Sequence, residues 1–109
     1  IKKWTDDSKK NGKTPLLMIH HNMAPHMECE PSITFAFTLD NYLEVSEQLA
    51  DWGINYSFSG HLHTNDTAAV TNDNGKTLYD VETNSLTGYP NMYREMTIST
   101  FEPNLKLNQ

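Results

Sequence analysis

The chain has 109 residues, 37% of them hydrophobic, with a formal charge of −6 and a single cysteine. That is enough for one small domain or a piece of a larger one, with a modest core. The eight Lys and Arg form no stripe suited to nucleic-acid phosphates, no run approaches the roughly 18 apolar residues of a membrane helix, and Cys29 has no partner for an internal disulfide.

Apolar residues come in discrete runs, which predicts folded structure. The opening IKKWTDDSKKNGKTP reads as a helix end followed by a polar turn, as from the interior of a longer chain. TPLLMIHH, from Thr14, predicts a short strand buried on both faces. Residues 22 to 32, NMAPHMECEPS, hold two prolines and no periodicity, and a long irregular stretch of this kind commonly borders a site. A helix is expected next. In TLDNYLEVSEQLADWG, Leu39, Tyr42, Val45, Leu49 and Trp52 recur at steps of three or four, with Thr38 or Asp40 as cap and Gly53 as a left-handed stop. INYSFS, residues 54 to 59, alternates with period two and predicts a second strand. Trp52 and Phe58 are assigned to the core.

TAAVTND and KTLYDVETN flank Asn74-Gly75, a strong hairpin signal. A closing strand is expected over Met92 to Thr100, before the polar tail FEPNLKLNQ. The order strand, helix, strand implies a parallel pair, with antiparallel pieces added after it. The fold class is therefore α/β: a mixed sheet with one main helix and a C-terminal hairpin.

The chemistry concentrates in Gly60-His61-Leu62-His63, directly after the second strand. If residues 60 to 64 continue extended, His61 and His63 project to one side. Paired neutral imidazoles suit zinc, iron, manganese or similar ions. A further ligand is offered by His20 or His21 at the end of the first strand, and the C-terminal ends of parallel strands are where open α/β sheets gather ligands.

Gly60-His61-Leu62-His63 resembles the closing G-H-x-H motif of the calcineurin-like metallophosphoesterases, and Leu16 to His21 resembles the segment that supplies that family's preceding histidine ligand. The interval of about forty residues, with a helix between, fits the family. ETNSLTGYPNMYREMTI is similar to the segment after the site in a bacterial branch. The resemblance implies half of a layered α/β/β/α sandwich, with residues 1 to 109 as the C-terminal part of a single catalytic domain whose N-terminal part is missing. It implies two divalent or trivalent ions (Mn, Fe, Zn or Co), His20 and His61 on one and His63 on the other. The family has a histidine followed two residues later by proline, and here Asn22 stands in that proline's place. The family's earlier motifs, D-x-H, G-D and G-N-H-[DE], are absent, so the bridging carboxylate and the acid/base residues would lie upstream and this part alone would be inactive.

The implied function is hydrolysis of a phosphate ester, since two ions about 3.5 to 4 Å apart activate a water and stabilise an in-line displacement. His21, Asn22, His26, Asn65 and Arg94 are candidate substrate or supporting residues, each weighed against an ordinary role in a turn, a loop or packing. Tyr89 and Tyr93 stand beside Arg94 in the same balance. The alternative is a non-catalytic metal-binding protein, including a soft-metal copper site in His21 to Cys29, which gathers imidazole, thioether and thiol groups. By the same resemblance the compartment is bacterial cytoplasm or cell envelope.

Overall fold

The computed structural model of the chain describes residues 1 to 33 and 36 to 98. Its elements are helix α1 (Lys2–Lys10), strand β1 (Leu17–Met18), the short helix α2 (Glu30–Ile33), helix α3 (Tyr42–Asp51) and strands β2 (Tyr56–Ser59), β3 (Asp66–Thr71) and β4 (Thr77–Glu82). They form an α/β domain around one four-stranded mixed sheet in the order β1-β2-β4-β3. β1 pairs parallel with β2 across the connection that holds α3, as the sequence order predicts. β3 and β4 form the expected antiparallel hairpin, and β4 then inserts parallel beside β2.

The hairpin turns where Asn74-Gly75 predicts it, with Gly75 at φ 73° and the Asn72 carbonyl accepting its N–H. α3 stops at the predicted glycine, Gly53, which has φ 81°. Its start differs from the expectation. The helix opens after Asn41 without a side-chain cap, because the Thr38 hydroxyl donates to the Glu30 carboxylate instead.

α3 lays Leu49 and Ala50 on the sheet, where they meet Met23, Ile54 and Leu78 in a buried core flanked by Leu17, Ile19, Leu39, Val45 and Trp52. Trp52 therefore packs on the core as expected, and Phe58 does not. Along β2 it is Ser57 and Ser59 that are buried, while Tyr56 and Phe58 are only half-buried. The period-two signal is right and its inner face is reversed, since Ser57 pairs in register with buried Asp80 on the α3 side.

β1 likewise departs from a strand buried on both faces: Met18 is 83% exposed on the face opposite the core. Nor do residues 92 to 98 form the closing strand; residues 99 and 100 lie outside the described residues. The segment crosses the open face of the sheet, where Arg94 and Met96 line an apolar cleft of about 240 Å³ with Leu16, Met18, Phe58 and Thr83. The Arg94 guanidinium donates to the Glu82 carbonyl from there. No described helix is long and apolar enough to cross a membrane.

Candidate metal centre

The parallel ladder of β1 and β2 runs beyond the formal strand ends. Ile19 N–H donates to the Phe58 carbonyl and Gly60 N–H to the His20 carbonyl, so His20 and His61 are delivered to the same sheet end. Their rings meet, with His20 Nε2 and His61 Nδ1 2.6 Å apart. The His21 ring lies 4.8 Å from that of His61 and 5.5 Å from that of His20, and Phe37 packs against His61 at 4.5 Å. The structure thus gathers rings 20, 21 and 61.

His63 is placed differently. The chain bends at His61 and Leu62, and His63 takes a left-handed φ of 57°, so residues 60 to 64 do not continue extended and the two histidines do not share a strand face. The cause is Glu82 at the end of β4, whose Oε1 accepts the His63 N–H at 3.0 Å.

Desolvation, then the neighbouring His20 and His21, pushes the His61 pKa below the ordinary imidazole value. The neutral ring is the form that binds a metal. At 2.6 Å the two facing nitrogens are at hydrogen-bond distance. Imidazole nitrogen is a donor that zinc takes at ~2.0–2.1 Å, and one ion held by both rings would need the two nitrogens further apart than they stand here. Among the described residues no group of three or more His, Cys, Asp or Glu is arranged to hold an ion, and further ligands must join the pair.

The other candidates separate by surroundings. Asn22 is fully buried and neither polar atom of its side chain has a hydrogen-bond partner among the described residues, as is true of Glu82 Oε2. Asn65 Oδ1 accepts the Asn84 N–H, tying two turns together. Arg94 serves the apolar cleft and the Glu82 carbonyl. Met23 is in the core, Cys29 is exposed at φ 61°, and the His26 ring is buried between Asp66 and Asp80. The soft donors of His21 to Cys29 therefore face three different environments.

Sequence reasoning missed Asp80 and Glu82. Both stand in KTLYDVETN, where period two puts them on one face with Leu78, and that alternation is the signal that marks a carboxylate pair directed inward. Neither a family model nor a curated protein matches the chain significantly.

Proposed function

We propose that the chain is the later half of a dinuclear metal-dependent phosphoester hydrolase resembling the calcineurin-like metallophosphoesterases, in which the described sheet is one layer of the α/β/β/α sandwich. The observation that carries this reading is the pair of ring nitrogens, His20 Nε2 and His61 Nδ1, 2.6 Å apart at the C-terminal ends of adjacent parallel strands.

In this reading His20 and His61 hold one ion and His63 the other, with the remaining ligands upstream. When bound, the ions supply positive charge that lowers the pKa of a water and attracts a phosphate ester to an acidic protein. The chain's own residues prepare the site. The β1–β2 ladder fixes the two imidazoles, Phe37 covers one side of His61, and Glu82 sets the turn that separates His61 from His63. His21, beside both rings, is in position to contact a phosphate oxygen.

A metal-binding protein without catalysis is the second reading, favoured by the absence of D-x-H, G-D and G-N-H-[DE] from these residues. The copper version has less support, because Met23 is committed to the core. Titration of the protein with Mn²⁺ and Zn²⁺, followed by hydrolysis of an aryl phosphate mono- or diester, tests the proposal. Metal binding that is lost in His20→Ala and His61→Ala, with metal-dependent hydrolysis in the full gene product, is expected. Metal binding with no hydrolysis leaves the non-catalytic reading, and no binding at all removes both.

A further inference from the structure

We propose that His26 is held as an imidazolium between Asp66 and Asp80, and that it is a positioning residue which clamps the loop behind His20 and His21 to the sheet. The clamp stands on its own geometry; its bearing on metal binding rests on the function proposed above.

His26 Nδ1 lies 3.0 Å from Asp66 Oδ2 and Nε2 lies 3.3 Å from Asp80 Oδ2. The ring is 1% exposed and the Asp80 side chain is fully buried. A neutral imidazole carries one N–H and one lone pair, so it can donate to only one of two carboxylates, and the other contact would set a lone pair against an oxygen. Only the imidazolium donates to both. Asp80 is an acceptor throughout: Met23 N–H at 2.6 Å, Ala24 N–H at 3.3 Å and Ser57 Oγ–H at 2.7 Å all donate to it. The proton shared with His26 therefore belongs to the ring.

Among the described residues, the charged groups that act on the ring are acidic. Asp66 comes from β3, Asp80 from β4, and Glu30 from α2, where its Oε2 accepts the His26 backbone N–H at 2.5 Å. Glu82 stands opposite Asp66 in the strand register. Burial opposes the charged ring, but the hydrogen bonds and charges of Asp80 and Asp66 outweigh it and hold the His26 pKa above the ordinary imidazole value.

The loop is fastened at three points within a few residues of His21. Met23 is in the core with its carbonyl accepting from Ser46 Oγ at 2.6 Å, the Met23 and Ala24 amides bond Asp80, and His26 closes the clamp. Deprotonation turns one of the two His26 contacts repulsive. Because the folded pKa is raised, the stabilisation is complete below about pH 6.5, the unfolded value, and is lost as pH rises through the folded one.

Nitrogen-detected NMR of the metal-free protein tests this. The expected result is protons on both His26 ring nitrogens at pH 6.5, a midpoint above the ordinary value, and a lower midpoint in Asp66→Asn, a change at a half-exposed side chain that leaves the fold intact. Amide exchange at Met23 and Ala24 should accelerate above the midpoint beyond the intrinsic effect of base. A single ring proton at pH 6.5, or a midpoint unmoved by Asp66→Asn, overturns the clamp. In the metal-binding protein, Asp66→Asn should weaken Zn²⁺ binding about tenfold at a pH between its own lowered midpoint and the native one, where only the native ring is still charged, and little at a pH below both, the scale at which supporting residues act. An unaltered affinity at both pH values removes the positioning role. If the native protein binds no metal at all, the proposed function fails while the ring-proton result still decides the clamp.

Discussion

His20 and His61, 41 residues apart in the chain, bring Nε2 and Nδ1 to 2.6 Å. Neither residue gets there by a loop excursion. Each follows directly from a strand of the β1–β2 pair, whose hydrogen bonds continue to Gly60. A pair fixed by the sheet is preorganised, so replacing either ring should be felt as a whole. His20→Ala and His61→Ala are each expected to reduce Zn²⁺ affinity by at least tenfold, and the double variant by little more than the worse single one. Calorimetric titration measures all three; additive losses would show that the rings do not share an ion. Binding should also weaken as pH falls through the His61 pKa, which lies below the ordinary imidazole value, because protonated imidazole has no lone pair for the metal.

Glu82 holds the His63 turn through one carboxylate oxygen. Glu82→Ala leaves a backbone donor unpaired at the mouth of the site and should cost about 1–3 kcal/mol. Glu82→Gln keeps an acceptor and should cost less. Denaturant unfolding gives the energies, and exchange of the His63 amide locates the effect. If both variants unfold alike while that amide stays protected, the turn is held by something else.

Periodicity made α3, the hairpin and the parallel pair legible, because each has a local cause: apolar steps of three or four, Asn74-Gly75, and a helix between two strands. The face of β2 was not legible. Ser57 and Ser59 read as the wet side until Asp80 and Glu82 are placed beside them, and those carboxylates arrive from β4, which inserts next to β2 only through long-range pairing. That His61 meets the histidine pair at the end of β1 was readable from strand ends and spacing, while the choice of His20 over His21 came from the family resemblance. The bend at Leu62 was not, since its cause is again the distant Glu82, and the same holds for His26, which meets Asp80 across 54 residues.

Leu78 is fully buried in β4 against Leu49, Ala50 and Ile54. A leucine at such a position loses both transfer free energy and the contacts of the cavity left behind. Leu78→Ala should destabilise the protein by about 3 kcal/mol, within the usual range for buried leucines. Exposed Leu86 is the control, and its replacement should change stability by under about 0.5 kcal/mol. Equal effects in thermal or denaturant unfolding would contradict the placement of the core.

Gly75 and Gly53 both have positive φ, 73° and 81°, yet substitution should separate them. A Cβ on Gly75 would meet nothing within 4 Å, so Gly75→Ala isolates backbone strain alone, about 1 kcal/mol for an alanine in the left-handed region. At Gly53 the added carbon would lie 2.5 Å from Lys9 Nζ, the end of a flexible side chain on α1. Gly53→Ala therefore carries the same strain and must also displace Lys9. Its extra cost should vanish in a Lys9→Ala background, where the two alanine variants should lose equal stability. A Gly53→Ala penalty that survives removal of the lysine side chain would mean that the end of α3, not the α1 contact, sets the requirement for glycine there.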